Sequence, residues 1–212
     1  MVSGVKAKGI AIMRGLMVVA IAVLVSACGT TFNSRGQVYD GPGQVTAVYV
    51  YSFLDLREGA LGKQFLVEVR RQLSDALSKE GIRTKQLWFN ESPLRAQFSL
   101  EAKGPNPATT NTRVPVDEVV VATREDEQSF GATHRLLVFP ASVMMSNTGS
   151  NFDIRWTLID AQTNKVHWST TSFSSHMKWF LGDENPTGRA TEFVDGLMAE
   201  LRKSHVISGR GP

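Results

Sequence analysis

The residue types that could do chemistry in this chain are few. Its 212 residues hold one cysteine, Cys28, and four histidines, His134, His167, His176 and His205. A phosphate-cradling Gly, four residues, then Gly-Lys-Ser/Thr does not occur, nor does a dinucleotide glycine fingerprint after a strand. There is no Gly-x-Ser-x-Gly elbow for a serine nucleophile and no His-Glu-x-x-His to set two imidazoles around zinc. With a single cysteine, neither an intrachain disulfide nor a cysteine-based zinc site can form.

The histidines lack metal spacing. His167 and His176, nine residues apart on one strand, would lie roughly 30 Å apart if extended. His134 opens a strand, and His205 falls at a helix end, where a cation meets the negative end of the dipole. Glu125-Asp126-Glu127 are consecutive on a helix and do not share a face, so they read as a solvated acidic end. Asp183-Glu184 sits in a loop with no supporting geometry. The expectation is a non-enzymatic chain with no catalytic residue, metal or cofactor.

The aromatic residues point to contact instead. Trp156 and Trp168 fall on the inward face of a predicted hairpin. Trp88 ends a strand, and Met177, Trp179 and Phe180 follow the hairpin with Lys178 between them. Trp88, Met177, Trp179 and Phe180 are therefore the candidate partner surface, since exposed aromatic and Met side chains suit protein or membrane contact.

The elements that would carry these residues follow from periodicity. Gln44 to Leu54 reads as a buried strand. Leu61, Phe65, Val69, Leu73 and Leu77 recur every fourth residue, an amphipathic helix with Gly81 as its C-cap. Ile82 to Phe89 returns as a strand, giving a βαβ-like unit most easily built as a right-handed crossover. Ser99 to Pro115 predicts a loop and Asp117 to Phe130 a helix. His134 to Met145 is a strand. Phe152, Ile154, Trp156 and Leu158 alternate with polar residues in a half-wet strand from Asn151 to Ile159. Asp160 to Lys165 turns the chain into Val166 to Ser175, with Val166 and Trp168 inward and His167 opposite. Leu181 to Gly188 is a loop, and Thr191 to His205 a final helix. The fold class is α+β: a mixed sheet of about five strands, two or three helices on one face, in the order β-α-β-α-β-β-β-α.

The chain carries 23 Lys and Arg against 20 Asp and Glu, but Lys6, Lys8 and Arg14 precede residue 28 with no acid. The remainder is balanced, which argues against nucleic acid as a partner. Met1 to Arg14 is a basic n-region, and Gly15 to Val25 is an apolar run of 11 residues. Such a helix spans about half of a bilayer core, so it reads as a secretory signal rather than a membrane span.

Leu24-Val25-Ser26-Ala27-Cys28 resembles the lipobox of bacterial lipoproteins. The resemblance implies cleavage before Cys28, a diacylglycerol on its sulfur and an acyl chain on the new amino terminus, these being the only covalent additions expected. The motif prefers Leu where this chain has Val25. Gly29, in place of Asp, implies delivery to the outer membrane. The domain plan is then a signal peptide over 1–27, a lipidated flexible tether over 28–43, one α/β periplasmic domain over 44–205 and a disordered tail over 206–212.

The element order of 44–205, the Gly81-Ile82 step and the Asp160 to Trp168 hairpin are similar to the amino-terminal domain of the Tol system's periplasmic protein. They also resemble outer-membrane lipoproteins that activate cell-wall synthases or assist secretion pores and lipid transporters. The resemblance implies an accessory, scaffolding or binding subunit of an envelope machine, with an envelope protein as partner. The alternative is a periplasmic carrier of a lipid or small hydrophobic ligand held beneath the 61–80 helix.

Overall fold

The computed structural model describes residues 30–32, 37–38, 44–95, 116–146, 149–177 and 185–207. Its strands are β1 (Thr30–Phe32), β2 (Gln37–Val38), β3 (Ala47–Ser52), β4 (Arg83–Trp88), β5 (His134–Ser146), β6 (Gly149–Asp160) and β7 (Val166–Met177). Its helices are α1 (Glu58–Leu61), α2 (Lys63–Lys79), α3 (Val116–Ala122), α4 (Arg124–Phe130) and α5 (Pro186–Lys203). The class is α+β, as the periodicity predicts.

The sheet runs β1-β7-β6-β5-β3-β4, with β2 also pairing on β7. The hairpins β5–β6 and β6–β7 are antiparallel, while β3 is parallel to both β4 and β5. Five long strands match the expected number. The two short ones come from the stretch read as a tether, where Thr30 to Phe32 pair with Ser174 to Ser172.

Two apolar cores lie on opposite faces of the sheet. On one, Phe65, Leu66, Val69, Leu73 and Leu77 of α2 join Phe193, Leu197 and Leu201 of α5 over Val50, Ile154, Trp156 and Trp168. The other core gathers Tyr49, Tyr51, Phe53, Phe89, Val119, Val120 and Leu137. The expectation of helices on one face is therefore corrected: α3 and α4 pack on the second. Every residue of β3 is buried, so both its faces need cover, as for parallel strands generally.

Two local details differ from the sequence reading. The helix predicted from Asp117 to Phe130 breaks at Thr123, whose φ of −115° and ψ of 12° interrupt the ladder. Helix α5 starts at Pro186, not Thr191, because Asn185 caps it by accepting from the Gly188 N–H at 3.1 Å and Pro186 suits the first turn. Gly81, with φ of 77°, closes α2 as predicted, and the Ile82 N–H reaches back to the Leu77 carbonyl. Among the described residues no helix is long and apolar enough to cross a membrane.

Candidate functional site

The described polar groups of greatest interest gather in three places, each with buried members. The first lies between β3 and α4. Tyr49 and Tyr51, two apart on β3, point to the same face and reach consecutive acids of the helix. Tyr49 Oη donates to Asp126 Oδ2 at 2.6 Å, and Tyr51 Oη donates to Glu127 Oε2 at 2.7 Å. Glu127 and Arg135 are 4% and 8% exposed. Arg135 donates from Nη2 and Nε to Glu127 Oε1 at 2.8 and 3.2 Å, and from Nη1 to Asn164 Oδ1 at 2.7 Å. Lys85 Nζ donates to Asp126 at 2.6 Å.

Electrostatics follow from that geometry. Burial raises the Tyr49 phenol, and the Asp126 carboxylate beside it raises it further. Burial also raises Tyr51, with Glu127 adding to the effect and the Thr123 hydroxyl, 3.3 Å away, opposing it. Lys85 and Tyr49 hold Asp126 below the ordinary carboxylate range. These acids and bases engage one another, so the cluster acts as an electrostatic clasp between sheet and helix. The solvated acidic end predicted for Glu125 to Glu127 is thus corrected at Glu127, which turns inward to meet Arg135. The two facing tyrosines in Tyr49-Val50-Tyr51 were the available sequence signal.

The second place is a histidine pair, His134 at the start of β5 and His167 in β7. Their Nε2 and Nδ1 atoms are 3.0 Å apart and the rings 5.0 Å apart. A bulge brings them together: Ile159 faces Val166 and Leu158 faces Trp168, leaving His167 without an opposite residue on β6. That extra residue breaks the expected alternation at Val166 and His167, while Trp168 is inward as predicted. Val166 is 37% exposed, whereas His167 is 5% exposed and lies inside with Trp168. Burial lowers both imidazoles, with His167 adding to the effect on His134, while the Asp160 carboxylate raises both.

The third place joins the carboxyl ends of β3 and β4. Asp55 Oδ2 accepts the Asn90 N–H at 2.7 Å, while Oδ1 is buried without a partner. Burial raises this carboxyl against the pull of backbone N–H groups. Among the described residues no group of three or more His, Cys, Asp or Glu side chains could hold a metal ion.

The predicted partner surface divides. Trp88 is 6% exposed, which corrects its expected exposure. Its ring belongs to the core beneath α2, with the Arg70 guanidinium 6.0 Å from the ring centre and Nε1 donating to Gln86 at 3.2 Å. Met177 closes β7. Trp179 and Phe180 lie outside the described residues, as do Cys28, Asp183 and Glu184. His205 lies past the end of α5 with φ of 55° and is exposed.

No family model matches the chain, and no curated protein matches it. Among solved structures it is similar to the PelC dodecamer from Paraburkholderia phytofirmans, at 12% identity over 81% of this chain and 96% of that one, with a TM-score of 0.43. It is also similar to lipoprotein GNA1162 from Neisseria meningitidis, at 12% identity over 74% of this chain and 99% of that one, with a TM-score of 0.41. A third likeness is the hypothetical protein CT253 from Chlamydia trachomatis, at 18% identity over 78% and 94%, with a TM-score of 0.30. The functional reading rests on the chain's own residues.

Proposed function

We propose that this chain is a lipid-anchored, non-enzymatic cell-envelope protein, a binding or scaffolding subunit of an assembly or transport machine. It would sit on the periplasmic face of the outer membrane and engage another envelope protein. The observation that carries this reading is the single cysteine, Cys28, placed after a basic n-region, an 11-residue apolar run and Ser26-Ala27. One acyl chain binds a bilayer only marginally, whereas two or three, at about 0.8 kcal/mol per buried methylene, hold a protein there durably.

The anchor would also orient the domain. Thr30, two residues after Cys28, pairs with Ser174 of β7. Two extended residues reach about 7 Å, so the lipid would keep the β7 side of the sheet close to the bilayer. Strand β4, outermost among the described strands at the opposite end of the sheet order, would face away from that attachment. It offers a protein partner an edge for strand addition.

Metabolic palmitate labelling with membrane fractionation, on the natural chain and on Cys28→Ala, tests the proposal. Crosslinking in the same cells identifies what it touches. Label that depends on Cys28, an outer-membrane location and a recurrent envelope partner support it. An unlabelled soluble protein overturns the anchor, and a labelled protein that brings down lipid rather than any protein overturns the scaffolding role.

A further inference from the structure

The β5–β7 ribbon outruns the rest of the sheet. Pairing between β3 and β5 ends at Ser52 and Val138, yet β5 continues to Ser146, roughly 25 Å of further strand at about 3.3 Å per residue. Its antiparallel partners keep pace, with Ser146 opposite Gly149 and Gly149 opposite Met177. The apolar core reaches as far as Phe152, 2% exposed, with Val143 opposite it. Met144, the next residue, faces Asn151 and is 53% exposed. Met145 and Met177 hold register positions farther along the same end.

Charge is missing from this end. The segments 28–34, 136–152 and 166–177 contain no Asp, Glu, Lys or Arg, in a chain with 20% of such residues. On β6 the first charged residues, moving away from the end, are Asp153 and Arg155. An unpaired strand edge in water is ordinarily blunted with Lys or other charges. Beyond Val138 the outer edge of β5 pairs with no other described strand, and it carries none. A lipid surface asks for that composition, because an ionised side chain is costly among acyl chains.

The anchor leaves at the same end. Strand β1 runs antiparallel to β7, with Phe32 opposite Ser172 and Thr30 opposite Ser174, so its amino end points toward Met177. We propose that the end of the ribbon carrying Met144, Met145 and Met177 is a lipid-contact surface, on which the domain rests at headgroup depth. The inference rests on the lipid anchor proposed above and adds which end of the domain meets the bilayer. The backbone limits the depth: the outer N–H and C=O groups of β5 need water or headgroups and cannot enter hydrocarbon unpaired. Methionine is flexible and apolar, which suits the uneven boundary between headgroups and acyl chains.

The test uses the full chain, purified from cells with its palmitate label measured and placed in vesicles of phosphatidylethanolamine and phosphatidylglycerol. An acylated Cys28 leaves no free thiol, so Met144→Cys or Gln162→Cys takes a single fluorescent dye. Gln162 is exposed in the turn at the other end of β6, whose 12 residues span roughly 36 Å. Spin-labelled lipid should quench the dye at 144 several-fold more strongly than the dye at 162, and iodide in the water should give the reverse order. Palmitoylated protein whose two dyes are quenched equally by lipid, or in the opposite order, overturns the inference and leaves the anchor standing. A dye at 144 shielded from both quenchers marks cover by a second copy of the chain, and overturns lipid as the occupant. Protein without palmitate overturns the anchor, and the inference with it.

Discussion

Arg135 and Glu127 meet at 2.8 Å between β5 and α4, with side chains only 9% and 5% exposed. Two charges so far from water are stable only while each compensates the other. Arg135→Ala should therefore cost about 3–5 kcal/mol in urea unfolding, because it strands a buried carboxylate against the Tyr51 hydroxyl. Replacing both partners, as Glu127→Leu with Arg135→Met, should recover much of that loss. A double variant as unstable as Arg135→Ala would show that shape, not charge compensation, sets the cost.

Trp156 ties the sheet to α5. It is 1% exposed, its ring lies 5.1 Å from Phe193, and Nε1 donates to the Ser172 hydroxyl at 2.9 Å. Trp156→Ala leaves a cavity and an unmatched hydroxyl, and should destabilise by about 3–5 kcal/mol. Trp156→Phe keeps the ring contact and should cost clearly less. Denaturant titration of the two variants checks the order, and a reversal would contradict the packing described.

How far the sequence could be read depends on what each residue reveals about its neighbours. The period-two run from Phe152 to Leu158 reports its own burial, and the strand has the predicted faces. Gln44 to Leu54 reads equally clearly as a buried strand. Yet an unbroken run such as Ala47 to Tyr51, all of it buried, already requires cover on two faces, which places α3 and α4 opposite α2. The bulge at His167 escapes pattern reading because one extra residue after the Asp160 turn changes nothing in composition, yet it turns Val166 out and His167 in while Trp168 keeps its predicted inward place. For the same reason the His134–His167 pair, 33 positions apart, carries no local signature. Glu127 looks like any helix-surface acid until Arg135 and the tyrosines are placed around it.

Gly131 ends α4 with φ of 71°, and its N–H bonds the Gln128 carbonyl at 2.9 Å. A Cβ there would come no nearer than 3.8 Å to Arg83 Nη2, so space is not the obstacle. The left-handed backbone is. Gly131→Ala should cost about 1 kcal/mol, the ordinary penalty for an L side chain in that conformation. Gly131→Asn should cost less, because Asn tolerates it better. Thermal melts of the two variants decide the matter, and equal losses would point to crowding instead.

Asp55 gives the fold a pH dependence. Burial raises its carboxyl in the fold, while the unfolded value is about 3.9. A carboxyl raised on folding contributes its stability in full below the unfolded value and loses it as pH climbs through the folded one. At neutral pH, then, the ionised Asp55 works against the fold, with Oδ1 buried and unpartnered. Asp55→Asn keeps an oxygen to accept the Asn90 N–H, made at 2.7 Å in the natural chain, and removes the charge. Its Tm relative to the natural chain should rise as pH goes from 4 to 8, with the advantage greatest at the alkaline end. Scanning melts across that range check it. A difference that stays constant with pH would mean that Asp55 is no harder to ionise in the fold than in the unfolded chain.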